Sequence, residues 1–142
     1  MARLSPRPAA IVQALPVKPG MRVLEIGGAP GAAARAVCEQ IAPGGHLLVI
    51  DRSATGVAQI ERTAAAEIDA GQLSTRCVAI EDFELRPGEE PFDLAFGIRV
   101  GAPDGRHPTA GVAARRRLRA ALRPGGLLYI DGGDPLQVSP LE

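Results

Sequence analysis

The stretch MRVLEIGGAPG, residues 21–31, decides the fold, because it joins a short apolar run to a glycine-rich turn. Residues 21–26 predict a β-strand that is bounded by turn residues on both sides. The residues that follow, AAARAVCEQIA (32–42), are strong helix formers and predict a helix that begins directly after Gly31. A strand that leads through a tight turn into a helix is the first part of a βαβ unit.

The same alternation of strands and helices continues along the chain. Helices are predicted over residues 8–15, from Ser53 to about residue 70, and from Pro108 to about residue 122. Four more segments predict strands: HLLVI (46–50), STRCVAI (74–80), FDLAFGI (92–98) and LLYID (127–131). This pattern predicts an α/β fold with helices on both faces of a mainly parallel sheet.

The 142 residues predict one domain, residues 1–142, with a short helix and turn at 1–20 and a short tail at 132–142. Sixteen basic and sixteen acidic residues give zero net charge, which disfavours binding to nucleic acid or to an anionic membrane. No apolar run approaches the ~20 residues of a membrane span, and the first residues lack the apolar core of a signal peptide. A cytoplasmic protein is therefore expected. No metal site is expected, because Cys38 and Cys77 fit no metal-ligand spacing, and both are predicted to be buried and reduced.

The glycine-rich turn is the first candidate binding site, since such sheets bind ligands beyond the carboxyl ends of their strands. Gly27 and Gly31 permit positive φ values and a close approach of the backbone to a ligand. The following helix offers free N–H groups at its start. Glu25 lies two residues before Gly27, so the turn suits a ligand with an ammonium group better than a pyrophosphate.

Two more acidic residues follow predicted strands. Asp51 ends the second strand, 20 residues after Gly31, where a carboxylate can accept hydrogen bonds from ribose hydroxyls. Asp82 follows the third strand, where a carboxylate can accept from an adenine amino group while Phe83 contacts the ring. Helix capping is the alternative role for both acids, and a solvated loop position is a further one for Asp51.

Taken in order, these motifs resemble the class I S-adenosylmethionine-dependent methyltransferases, over residues 21–131. EIGGAPG (25–31) is similar to their first motif, an acid followed by three alternating glycines, although Ala29 replaces the middle glycine. Asp51 matches their ribose-binding acid, and Asp82 matches the acid near adenine. FDL (92–94) resembles the start of their fourth motif, and LRPGG (122–126) resembles the turn before their fifth strand.

The resemblance implies a three-layer, Rossmann-like αβα fold with about five strands in the order 3-2-1-4-5. It implies S-adenosylmethionine as cofactor, S-adenosylhomocysteine as product and a small molecule as methyl acceptor. The residues expected to line the cofactor pocket are Glu25, Gly27, Gly28, Ala29, Gly31, Asp51, Arg52, Asp82, Phe83 and Ile98.

The end of the chain departs from the family pattern, in which the sheet has seven strands and the last two form an antiparallel hairpin. The tail at 132–142 is too short for that hairpin. The fifth strand is then predicted to be an open apolar edge, which favours association. A homodimer that covers this edge is therefore expected.

The loop GIRVGAPDGRHP (97–108) is the predicted place for substrate chemistry. Asp104 and His107 are its candidate general bases, although a turn or helix-cap role suits His107 as well, because Pro108 follows it. Arg99 and Arg106 are candidates for binding an anionic substrate, with ordinary surface charge as the alternative. The arginines of residues 115–123 favour a solvated helix face over an RNA-binding surface.

Two other functions remain open at the level of sequence. A non-catalytic methyltransferase-like protein would keep the fold and bind the cofactor or a protein partner. A nicotinamide-dependent oxidoreductase also carries a turn followed by an acid. Here, however, the turn has Ala29 and Ala32 at two of the three glycine positions, and Glu25 disfavours a pyrophosphate.

Overall fold

The computed structural model describes residues 6–98, 108–131, 136–139 and 141. Strands and helices alternate within them, as the sequence predicts, and a single 3-10 turn at Ile80–Asp82 lies among these described residues. The helices are α1 (Pro6–Ala14), α2 (Ala32–Ile41), α3 (Ala54–Thr63), α4 (Ala65–Asp69) and α5 (Pro108–Ala121). The strands are β1 (Arg22–Ile26), β2 (His46–Asp51), β3 (Leu73–Cys77), β4 (Leu94–Gly97), β5 (Leu128–Asp131) and β6 (Leu136–Ser139).

The strands form one sheet in the order β3-β2-β1-β4-β5-β6. The first five are parallel to their neighbours, so the predicted α/β class and the predicted order 3-2-1-4-5 are confirmed. β1 lies in the centre, and its Glu25 is in register with Val49 of β2 and with Phe96 of β4. The carboxyl ends of these three central strands therefore meet at one edge of the sheet.

The sixth strand corrects the expectation of an open fifth strand. β6 pairs antiparallel with β5, and Tyr129 faces Val138 in the register. The edge of β5 is thus covered within the chain, which removes the reason for expecting a homodimer there. The tail did not predict a strand because its four-residue segment LQVS alternates only two apolar side chains with polar ones.

Helices cover both faces of the sheet and bury a core on each. Val23, Leu47 and Phe96 lie on the face covered by α1, α2 and α3. On the opposite face, Leu24 and Leu48 pack with residues of α5 and of the 3-10 turn. Two faces buried in this way account for the nearly continuous apolar runs of β1 and β2.

Several predicted elements are shorter than the sequence suggests. The fourth strand, expected over residues 92–98, spans only Leu94–Gly97. The helix expected from residue 54 to about 70 is divided, because the backbone of Ala64 leaves the helical conformation (φ −109°, ψ 29°) while its side chain is buried. The third strand ends at Cys77 instead of residue 80, and Ile80 begins the 3-10 turn. Among the helices of the described ranges, none has both the length and the apolar character needed to cross a membrane.

Candidate functional site

The glycine-rich turn after β1 adopts the conformation that its composition predicts. Gly27 has a φ of 69°, and its N–H donates to the carbonyl of Ile50 over 2.7 Å. Gly31 has a φ of 112° and stands at the N-cap of α2. Both values lie in the left-handed region that favours glycine, so these two glycines shape the turn as expected. The turn lies at the edge of the sheet where β1 and β2 end.

Glu25 is the most unusual residue at this edge. Its side chain is 2% exposed, although it is ionisable. It lies two residues after Val23, so it points to the same face of the sheet, towards α2. Within the described residues, its Oε1 atom has no hydrogen-bond partner. Burial, together with the negative charge of Asp51, raises the pKa of Glu25 to about 8.

Gly28 lies next to the Glu25 carboxyl group. A Cβ atom at residue 28 would lie 3.1 Å from Cδ and Oε2 of Glu25 and would overlap Cγ1 of Val49. A glycine is therefore required at residue 28 by packing alone, whether or not a ligand binds. The sequence placed Gly28 among the cofactor contacts but did not indicate this packing role, because Val49 is far away in the chain.

Asp51 ends β2 at the same sheet edge as the turn, one residue after the pair Ile26 and Ile50. Its Oδ1 atom accepts a hydrogen bond of 2.9 Å from the backbone N–H of Ser53. The Ser53 hydroxyl in turn accepts from the N–H of Gly56 over 3.1 Å and caps α3, as predicted. The carboxylate is half-buried and held at the start of a helix.

The third part of the predicted site lies beyond β3. The N–H of Val78 donates to the carbonyl of Asp51 over 3.0 Å, which joins the ends of β2 and β3. Asp82 is exposed in the 3-10 turn that follows. Arg52 is 66% exposed and forms an ion pair of 3.1 Å with Glu81. Sequence reasoning missed Glu81, although opposite charges after two neighbouring strands were a signal for this pair.

Phe83 corrects one of the expected contacts. Its ring is 1% exposed and packs in the core between the sheet and α5. The guanidinium of Arg76 lies over this ring at 5.4 Å from its centroid. A side chain so enclosed presents no face to an adenine ring. Because the chain turns inward after Asp82, Phe83 stabilises the core and does not line the site.

Ile98 follows β4 directly, at the same edge of the sheet, and is half-buried against the core on the α2 side. Its contact with the cofactor stays a prediction. Ala29 is exposed on the turn. The other predicted residues of the substrate side, Arg99, Asp104, Arg106 and His107, lie outside the residues that the structure describes.

Other candidate residues have structural roles. The ring nitrogens of His46 lie 2.9 Å from the carbonyl of Gly71 and 2.8 Å from the Ser74 hydroxyl, at the start of β2 and far from the turn. Cys38 is buried, and its pKa is raised to about 12 by burial and by the charges of Glu67 and Glu25. Cys77 is exposed, so the prediction that both cysteines are buried is wrong for this residue.

The arginines of residues 115–123 are partly engaged in ion pairs. Arg117 donates to Glu84 over 2.6 Å and to the carbonyl of Glu81 over 3.3 Å. Arg123 pairs with Asp93 at 3.2 Å. These pairs reduce the local positive charge and fit the solvated helix face that the sequence favours.

The described residues suit a ligand that carries both an ammonium group and vicinal hydroxyls. A buried carboxyl with an unpartnered oxygen is the kind of group that a cationic ligand would satisfy. Asp51 supplies a second acceptor at the end of the neighbouring strand. The amino acid part and the ribose of S-adenosylmethionine have these two chemistries, so the residues present fit that cofactor.

No family model matches this chain. The chain is 28% identical, over 120 residues, to a protein-L-isoaspartate O-methyltransferase of Methanothrix thermoacetophila. This similarity covers 84% of the chain and 50% of that protein, so the chain spans about half the length of the curated relative it matches.

Solved structures of methyltransferases share the fold. A SAM-dependent methyltransferase from Aquifex aeolicus superposes with a TM-score of 0.70 at 16% identity, covering 87% of this chain and 62% of that chain. A phosphoethanolamine N-methyltransferase of Haemonchus contortus, in complex with S-adenosyl-L-methionine, has a TM-score of 0.68 at 25% identity, with coverages of 87% and 27%. The chain therefore has the three-layer fold of the class I S-adenosylmethionine-dependent methyltransferases, and the predicted resemblance is confirmed.

Proposed function

We propose that this chain, a class I S-adenosylmethionine-dependent methyltransferase by its fold, binds that cofactor at the carboxyl ends of β1 and β2 and transfers its methyl group to an acceptor. The observation that carries the proposal is the buried Glu25 carboxyl, whose Oε1 has no partner within the described residues. An ionised acid at this buried position costs free energy, because burial disfavours its charged form. A cationic ligand at this position offsets the cost.

Glu25 binds the ammonium group of the cofactor in this proposal through a water molecule, because its side chain is only 2% exposed. The carboxyl faces α2 beneath Gly28, so its position is fixed by packing. The turn at Gly27 and Gly31 keeps backbone close to the ligand without side chains in the way. S-adenosylmethionine supplies the activated methyl group on its sulfonium, and the protein supplies orientation and exclusion of water.

Asp51 accepts hydrogen bonds from the ribose hydroxyls. Its Oδ1 already accepts from the N–H of Ser53, which leaves Oδ2 and the remaining lone pairs to the ligand. Asp82 lies exposed in the 3-10 turn that follows β3 and accepts from the adenine amino group. Ile98, which follows β4, contributes an apolar contact. Arg52, held by its ion pair with Glu81, forms the solvent-exposed side of the pocket.

The acceptor is a small molecule in the first form of the proposal. Asp104 and His107 are then the candidate bases, and Arg99 and Arg106 are the candidate groups for an anionic acceptor. The similarity at 28% identity to a protein-L-isoaspartate O-methyltransferase favours a second acceptor class, an L-isoaspartate residue of a protein.

A methyl-transfer assay tests the proposal and separates the acceptors. The protein is incubated with methyl-labelled S-adenosylmethionine and either a panel of small carboxylic acids, phenols and amines or a peptide that contains isoaspartate. Labelled product that depends on Asp51 supports methyl transfer and identifies the acceptor class. Cofactor binding without any labelled product would instead support the non-catalytic alternative.

A further inference from the structure

At the start of α3, a side chain at residue 56 would come unusually close to the Asp51 carboxylate. A Cβ atom at residue 56 would lie 3.1 Å from Cγ, Oδ1 and Oδ2 of Asp51. Carbon atoms normally pack at about 3.5–4.0 Å from their neighbours. An added Cβ would thus require the carboxylate to move by a few tenths of an ångström from its observed position.

The same short segment holds the carboxylate by hydrogen bonds. Asp51 accepts from the N–H of Ser53, and Ser53 accepts from the N–H of Gly56. These two bonds and the contact between Gly56 and Asp51 form a closed ring at the end of β2. Gly56 is buried at this point, whereas Thr55 beside it is exposed.

Glycine is an unfavourable residue in the first turns of a helix, because it loses more backbone entropy than alanine does. Helix α3 contains Gly56 in spite of this cost, and its φ lies outside the left-handed region in which glycine would be required by the backbone. Glycine at residue 56 thus leaves free the space beside the Asp51 carboxylate. Gly56 lowers the stability of helix α3 and at the same time leaves room for the Asp51 carboxylate.

We infer that Gly56 is a positioning residue for the cofactor ribose: by lacking a Cβ, it lets the Asp51 carboxylate turn into the orientation in which it accepts from the ribose hydroxyls. This inference rests on the proposed function for the ligand. The contact between Gly56 and Asp51 itself does not depend on any ligand. The two parts are therefore tested by separate measurements.

The contact is tested first by a double-mutant cycle of thermal stability without ligand. In an Asp51→Ala background, where the carboxylate is absent, Gly56→Ala is expected to raise Tm by about 2–4 °C through helix propensity. In the unaltered protein the same change is expected to give no rise or a decrease. Thr55→Ala is the matched control, with the same shift in both backgrounds. Equal shifts of Gly56→Ala in both backgrounds would overturn the inference.

The ribose part is tested by calorimetric titration with S-adenosylhomocysteine and with its analogue that lacks both ribose hydroxyls. Gly56→Ala is expected to weaken binding of S-adenosylhomocysteine by about tenfold, the scale of one hydrogen bond to a charged group. Binding of the analogue is expected to change by less than about twofold, and Thr55→Ala to change neither.

The outcomes distinguish the inference from the function on which it rests. Equal weakening for both ligands would show a general distortion of the pocket and overturn the role at the ribose. Undiminished binding of S-adenosylhomocysteine to the Gly56→Ala protein would overturn it as well, while the proposed function would stand. Absence of binding to the unaltered protein would overturn the proposed function and the ribose role together, and the stability cycle would still decide the contact.

Discussion

Gly28 packs against Val49 so closely that a Cβ at residue 28 would overlap the Cγ1 atom of the valine. The same Cβ would also press on the Glu25 carboxyl group. Glycine at this turn is therefore a packing requirement of the sheet and the buried acid, in addition to any requirement of a ligand.

This relationship predicts the effect of Gly28→Ala on stability. Forcing an extra carbon into a packed core costs about 1–3 kcal/mol of unfolding free energy. In a Val49→Ala background, the overlap with Cγ1 is absent, so the cost of Gly28→Ala should be smaller. Urea unfolding of the two single variants and the double variant measures this coupling. An identical cost in both backgrounds would contradict the contact.

The buried Glu25 predicts that cofactor binding depends on pH. Since its pKa is about 8 in the free protein, Glu25 carries a proton at pH 7. An ammonium group binds the ionised form better, so binding releases about one proton, and affinity for S-adenosylhomocysteine rises from pH 6 to pH 8. Titration at pH 7 in two buffers of different ionisation enthalpy measures the release. In the Glu25→Gln protein the release should disappear; if it persists unchanged, another group titrates.

The same residue predicts the pH dependence of stability without ligand. The folded pKa of Glu25, about 8, lies above its ordinary value of 4.5, so the folded chain binds more protons between these pH values. This contribution to stability is complete below about pH 4.5 and is lost as the pH rises through 8. Glu25→Gln should therefore be most stabilising, relative to the unaltered protein, at about pH 9. Urea midpoints between pH 5 and pH 9 provide the comparison, and a constant difference would refute the prediction.

Substitutions of the neighbouring residues Phe83 and Asp82 are expected to affect different properties, stability for Phe83 and cofactor binding for Asp82. Phe83→Ala should cost about 3–5 kcal/mol of unfolding free energy, because it empties a core position. Asp82→Asn should change stability by less than about 0.5 kcal/mol and should weaken binding of S-adenosylhomocysteine. Urea unfolding and calorimetry on both variants separate the two roles. A folded Phe83→Leu protein with selectively weakened adenine binding would restore the original expectation for the ring.

The partly buried pair of Arg76 and Glu89 predicts a stability effect away from the site. The side chains are 16% and 17% exposed, with a bond of 2.8 Å between Nη2 and Oε2. Burial acts to raise the pKa of Glu89, but hydrogen bonds from Arg76 and the Arg86 N–H and the charges of Arg76 and Arg22 lower it overall.

A depressed pKa stabilises the fold above the ordinary value of 4.5, and this stabilisation is lost as the pH falls through the folded pKa. Glu89→Gln should therefore cost about 1–3 kcal/mol at neutral pH and progressively less in acid. Urea unfolding at pH 7 and at pH 3 checks the difference. An equal cost of Glu89→Gln at pH 7 and at pH 3 would contradict the prediction.

The fold could be predicted largely from one local pattern. The strand, turn and helix at residues 21–42 and the repeated alternation after them specify the sheet, because each element is stabilised by burial on a period that is visible in the sequence. β6 was missed because a four-residue antiparallel strand carries too few apolar positions. Its existence depends on pairing with β5, which is a tertiary property.

The positions of the candidate residues were predictable where a residue lies near the end of a strand or shortly after one. Glu25, Asp51 and Asp82 lie at the ends of β1, β2 and the segment after β3, so parallel strands bring them to one edge. The prediction that Phe83 contacts the cofactor was wrong, because the direction of a side chain after a turn depends on how the core packs around it. The sequence indicated only that Gly56 weakens the helix. Its proximity to Asp51 could not be predicted, because it depends on how β2 and α3 pack.

The central claim is that the edge formed by β1 and β2 binds S-adenosylmethionine. The most direct measurement is a calorimetric titration of the protein with S-adenosylmethionine, S-adenosylhomocysteine and NAD, repeated with the Asp51→Ala protein. The proposal predicts micromolar binding of the first two, a loss of about 10–100-fold in affinity on Asp51→Ala, and no binding of NAD. Binding of NAD alone, or of none of the three at millimolar concentration by the folded protein, would contradict it.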